Sequence, residues 1–132
     1  METLVTQAQG RVSVTILRIT GRINLGNAAE IEQKARQIQQ GGSRHLVIDL
    51  SQVESLTSAG LRAILIIYKI FRDEMPQETG IGSQEGRQVD TNKSPQVKLA
   101  GPSTDIRRVL KIAGFEAFLE VYDTVDEAVA SF

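Results

Sequence analysis

The sequence predicts an α/β domain in which strands and helices alternate from end to end. Three observations predict it. At 132 residues the chain is the size of one domain. A short apolar run bounded by turn residues, His45-Leu-Val-Ile-Asp-Leu50, lies between two stretches with helical apolar spacing. Hydrophobic residues make up 41% and charged residues 23%, the balance of a packed core under a solvated surface.

The elements follow in chain order. A weak strand is expected at Leu4–Thr6. Val12, Val14 and Ile16 then alternate with Ser13 and Thr15, the period of a half-buried strand, before the apolar phase shifts to Leu17 and Ile19. A bulge or burial on both faces accounts for such a shift. Gly21 and Gly26 mark a turn. Asn27 with Glu30 is read as a capping pair for a helix whose Ala28, Ile31, Ala35 and Ile38 share one face, ended by Gly41-Gly42. The run at 45–50 reads as a central, parallel strand.

Residues Gly60 to Asp73 form the best-defined helix. Leu61, Ile64, Leu65 and Tyr68 make one stripe, and Ala63, Ile66, Ile67 and Ile70 make a second. Residues 74–96 hold Met75, Ile81 and Val89 among polar residues, Gly and Pro without periodicity, and are expected to be a mobile surface insertion. A strand at Val97–Ala100 follows. Beyond Gly101-Pro102 a helix carries Ile106, Val109, Leu110 and Ala113 and is closed by Gly114. The last strand is placed at Phe118–Tyr122, with Thr124 and Glu127 as a capping box for a final helix.

Several functions are disfavoured by composition. The net charge is −1, with no dense basic face for nucleic acid. Without cysteine, disulfides and thiolate metal sites are excluded, and a lone histidine, His45, makes a zinc site an unsupported reading. The N-terminus does not read as a secretory signal, and the apolar run Ala63–Tyr68 is far short of a membrane span. The expectation is a soluble, cytoplasmic protein without metal or cofactor.

The informative stretch is Asp49-Leu-Ser-Gln-Val-Glu-Ser-Leu-Thr-Ser-Ala-Gly-Leu61, which joins the buried strand to the apolar helix. Thr57 or Ser58 caps that helix, at an end whose unpaired N–H groups and dipole favour negative charge. A phosphate on Ser58 would be tolerated there. If Ala63, Ile66 and Ile70 form a partner face, the added charge, about −1.5 to −2, must be desolvated on docking. By spacing alone, hydroxyl residues at a helix start are most often caps and nothing more.

At this junction the sequence resembles the STAS domain, shared by anti-sigma factor antagonists and the cytoplasmic tails of sulphate transporters. The resemblance rests on Leu46-Val-Ile-Asp-Leu-Ser-Gln-Val and Leu56-Thr-Ser-Ala-Gly-Leu-Arg-Ala-Ile-Leu65. Ile16-Leu-Arg-Ile-Thr-Gly-Arg-Ile-Asn24, Leu99-Ala-Gly-Pro102, Val109-Leu-Lys-Ile-Ala-Gly-Phe115 and Val121-Tyr-Asp-Thr-Val-Asp-Glu-Ala-Val129 extend it over nearly the whole chain outside 74–96. It implies one domain over 1–132, with a mainly parallel four-stranded sheet, an added antiparallel N-terminal strand and about four helices. It also implies a protein that is not an enzyme. An anti-sigma factor with serine/threonine kinase activity would bind the unmodified protein and release its sigma factor. Phosphorylation of Ser58 would end binding, and a PP2C-type phosphatase would restore it. The implied partner-binding residues are Asn24, Thr57, Ser58, Ala59, Gly60, Arg62, Ala63, Ile66 and Ile70.

Two departures are visible. The family commonly has Asp-Ser-Ser or Asp-Ser-Thr where this chain has Thr57-Ser58-Ala59, and an aspartate where it has Asn24. Both remove a carboxylate near Ser58 and lessen repulsion of a phosphate there. They are also the best arguments for the alternative, a scaffold or sensor module of the same fold that works without phosphorylation. A hydrolase is the third reading. It lacks a phosphate loop, and its only histidine, His45, sits at a strand start.

Overall fold

Leu46 to Asp49 hydrogen-bond to a parallel strand on either side, and this doubly paired run sets the frame of the fold. The computed structural model describes residues 1–74 and 93–132. Their elements are β1 (Glu2–Gln9), β2 (Ser13–Ile23), α1 (Ala28–Gln40), β3 (Leu46–Leu56) and α2 (Ser58–Glu74). After these come β4 (Val97–Ala100), α3 (Thr104–Ile112), a 3-10 turn (Phe115–Ala117), β5 (Glu120–Tyr122) and α4 (Val125–Ala130). The five strands lie in sequence order in one sheet. β1 pairs antiparallel with β2, and the other three pairings are parallel, as the resemblance implied.

Alternation along the inner strands sorts the core into two layers. Leu17, Ile19, Leu46, Ile48, Leu50 and Leu99 face Ile31, Ile64, Ile67, Phe71 and Leu110 from α1, α2 and α3. Val14, Val47 and Ala100 face the other way, under Ala128 and Val129 of α4. The phase shift in β2 therefore has its explanation in burial on both faces. The register shifts in β2–β3 pairing come later, after Arg18 and after Gly21.

Some boundaries differ from the sequence reading. β1 runs for eight residues because its whole length pairs with β2. β3 continues to Leu56, and α2 starts at Ser58. Asn27 stands at the N-cap of α1 but makes no capping bond, which corrects the Asn27–Glu30 pair. Its side chain is used elsewhere, accepting from the Asn24 amide and donating to the Arg22 carbonyl, both at 2.9 Å. Thr124 does cap α4, accepting from the Glu127 amide. Of the 74–96 insertion, residues 75–92 lie outside the described residues. Its end belongs to the packed domain: Ser94 is buried, and its hydroxyl accepts from the amides of Gln96 and Val97.

A polar cluster ties the C-terminal helix to the sheet. Lys98 is buried, and its ammonium donates to the Ser131 hydroxyl and carbonyl, pairs with Glu120 at 3.2 Å and lies 4.3 Å from the Phe132 ring centroid. The His45 ring meets Phe132 edge-on. The Tyr122 hydroxyl, followed by Lys98, holds the Glu120 carboxyl below its ordinary 4.5 against the opposing effect of partial burial. Burial lowers the His45 imidazole below 6.5; the Ser13 backbone opposes this, and the charges on Lys98 and Arg44 reinforce it.

Both folded-state values are depressed, so each group stabilises the fold above its unfolded value, and that contribution is lost as pH falls through the folded one. The melting temperature, followed by circular dichroism, is therefore expected to fall on acidification, first below pH 6.5 and again below 4.5. His45→Gln should flatten the upper limb and Tyr122→Phe the lower. An unchanged profile in both variants would show that neither group carries the dependence.

Candidate functional site

The parallel pairing of β2 and β3 ends on Ile23 opposite Leu56, so the loop after β2 and the start of α2 emerge side by side. Ligands and partners of open α/β sheets are met at this carboxyl edge. Thr57 joins the two. Its amide and hydroxyl both donate to the Ile23 carbonyl, at 3.2 and 3.0 Å, while its Oγ1 accepts from the Gly60 amide at 3.4 Å and its carbonyl from the Leu61 amide. Thr57 is therefore the cap, and its hydroxyl is committed.

Ser58 is the first residue of α2. It is exposed, and its hydroxyl has no hydrogen-bond partner among the described residues. The amides of Ser58 and Ala59 belong to the first turn, where no intrahelical acceptor exists. Arg62 lies one turn on, exposed and on the side of the helix that carries Ser58. Both residues are exposed, and of the two hydroxyls that the sequence offered the uncommitted one is Ser58.

The facing loop is held rigidly. Asn24 Oδ1 accepts from the Gly26 amide, and the Asn24 carbonyl accepts from the amides of Asn27 and Ala28. Leu25 stands on this loop 85% exposed. Asn24, Leu25, Thr57, Ser58, Ala59 and Arg62 together line an open cleft of about 660 Å³. Neither Asn24 nor Thr57 brings a charge, so among the described residues Arg62 is the one formal charge in its lining.

Three residues expected at a docking face are placed elsewhere. Ala63 and Ile70 are buried, and Ile66 is half-buried against the core. The reason is that α2 packs on the sheet and also against α1, which leaves little of either apolar stripe free. The exposed apolar side chain beside Ser58 is Leu25, which the sequence reading missed. A leucine inside the polar turn Asn24-Leu-Gly-Asn27 was the available signal. Gly60 is buried too. A Cβ there would stand 2.6 Å from Leu56 Cδ1 and 2.9 Å from Ile23 Cγ2, so glycine lets α2 begin against the strand ends. Its part in the site is to set where Ser58 sits.

The chemistry of a hydrolase does not converge on Ser58. His45 lies at the opposite end of β3, on the order of 35 Å away at ~3.3 Å per residue. Asp49 and Glu54 do not pair with each other. Asp49 is buried and accepts from Arg18 Nε and the Ser51 amide, while Glu54 meets Arg22 at 3.5 Å in the open. Among the described residues no group of three or more His, Asp or Glu is placed to hold a metal ion, and no helix is long and apolar enough to cross a membrane.

Comparison with known proteins bears on the family and the fold. The STAS domain family model matches residues 5–75. BtrV of Bordetella bronchiseptica, which carries the name anti-sigma factor antagonist, is 27% identical over 114 residues, 86% of this chain and 82% of BtrV. The crystal structure of an anti-sigma factor antagonist from Mycobacterium paratuberculosis superposes with a TM-score of 0.73 at 25% identity, covering 98% of this chain and 92% of that one. The Bacillus cell fate determinant SpoIIAA, solved in a phosphorylated form, superposes at 0.63 over 98% of each chain. At 14% identity that likeness concerns the fold alone.

Proposed function

The chain belongs to the STAS domain family, and on that footing we propose that it is an anti-sigma factor antagonist that acts by docking and is switched at Ser58. Its partner is an anti-sigma factor with serine/threonine kinase activity. Docking the unmodified protein releases the sigma factor, phosphorylation of Ser58 ends the docking, and a PP2C-type phosphatase resets it. The observation that carries this reading is the division of labour between two adjacent hydroxyls. Thr57 is held by the Ile23 carbonyl, while Ser58 is open beside an exposed leucine and Arg62.

The uncharged Asn24 and Thr57 give the alternative, an unphosphorylated scaffold or sensor, its specific support. Mass spectrometry of the protein purified from its native cells separates the two. A phosphate on Ser58 in some growth states is the expected result. Its absence across exponential, starved and stressed cultures, with the partner still bound, would favour the scaffold.

A further inference from the structure

We propose that β1 is a self-association edge, along which two copies pair antiparallel about Val5 to make one continuous ten-stranded sheet. A free edge strand offers a row of unpaired N–H and C=O groups, and protein surfaces usually guard such edges by shortness, charged side chains, proline, a bulge or a covering segment. Apart from Glu2 at its start, β1 has none of these among the described residues. It is eight residues long, holds neither Pro nor Lys, and keeps an unbroken register with β2 from Glu2 to Gln9. At the other edge, β5 is guarded by having three residues. Exposed apolar side chains concentrate at the open edge: Met1, Leu4 and Val5 are three of the five large ones among the described residues, with Leu4 at 53%.

The occupant that fits is a second copy. A two-fold axis normal to the sheet keeps the two copies' equivalent faces on the same side, so paired residues must have the same parity. The register about Val5 meets this, setting Val5 on Val5, Leu4 on Thr6, Thr3 on Gln7 and Glu2 on Ala8. Glu2 is the sole charged side chain of β1, and it then meets no like charge. The surface is distinct from the Ser58 cleft and does not depend on the function proposed for it.

The chain contains no cysteine, so Val5→Cys provides one thiol on the axis. Residues directly opposite in such a ladder have Cβ atoms about 4.5–5.5 Å apart, close to what a disulfide spans. Sedimentation velocity of the purified wild type from about 1 μM to 1 mM should show a monomer–dimer equilibrium, with the dissociation constant raised at least about tenfold by Val5→Lys and unchanged by Ser58→Asp. Leu4→Lys, on the other face of the strand, gives the same reading should Val5→Lys fail to fold by circular dichroism. Mild oxidation should trap Val5→Cys as a covalent dimer much faster than Ile112→Cys. A wild type monomeric throughout, a dimer indifferent to both lysines, or equal trapping of the two cysteines would each overturn the proposal.

Discussion

Ser58→Asp is expected to weaken the complex with the anti-sigma factor kinase by about a hundredfold or more, while Ser58→Ala stays within about threefold of wild type. The asymmetry follows from the position of the side chain. Ser58 is exposed, and its hydroxyl has no partner among the described residues, so alanine strands no buried group. Aspartate places a full charge in a surface that docking must dry. Desolvating an unpaired charge costs several kcal/mol, and about 2.7 kcal/mol already corresponds to a hundredfold. The fold should not suffer, because a carboxylate in the first turn of α2 is favoured by the helix dipole. Calorimetric titration of the three proteins with the kinase, beside their melting temperatures, is the measurement. Lost affinity with an equal or higher melting temperature is the expected pattern, and equal affinities in all three forms would refute the switch.

Leu25→Asp should cost the same complex at least about thirtyfold, and Leu25→Ala roughly tenfold. Interface energy concentrates in a minority of side chains near the centre of a contact, each costing more than about 1 kcal/mol on truncation, and about 1.4 kcal/mol is tenfold. Leu25 is of that kind, projecting from a loop braced by Asn24 and Asn27 and sharing a cleft with Ser58. Because the side chain is mostly in solvent, its loss should leave stability within about 0.5 kcal/mol. Ile112→Asp is the control. Ile112 is 80% exposed but ends α3, whose start follows the carboxyl end of β4, so it lies away from the Ser58 edge. Binding unaffected by Leu25→Asp, or affected equally by Ile112→Asp, would remove Leu25 from the docking surface.

The two variants also probe different parts of one arrangement. Ser58→Asp changes charge at a helix end, whereas Leu25→Ala removes apolar area from the neighbouring loop. Ser58 and Leu25 line one cleft, so the effects in the double variant should be less than additive, as expected of groups sharing one contact.

Local pattern made much of the molecule readable. The apolar run at 46–50, the period of α2 and the hydroxyl pair at its start are all properties of near neighbours in the chain. Period alone could not say what covers each stripe of α2, and so Ala63 and Ile70 were placed at a surface that α2 itself packs away. The Asn27 side chain was equally free to cap or to turn back. The carbonyl of Arg22 and the amide of Asn24 drew it away from the helix. Residues Leu4–Thr6 gave a weak strand signal because β1 has polar residues on both faces. Its length comes from the full-length partner that β2 supplies.

By itself, then, the sequence determined the alternating order of elements, the buried central strand and the junction where function is concentrated. Only the tertiary structure decided which hydroxyl is free. The Ile23 carbonyl, 34 residues from Thr57, engages that side chain and leaves Ser58 open. It decided likewise that Leu25 stands beside Ser58, through the pairing of Ile23 with Leu56. The physical reason is one of range. Periodicity and capping act over a few residues, whereas exposure and hydrogen-bond partners are settled by strands that meet only when the sheet forms.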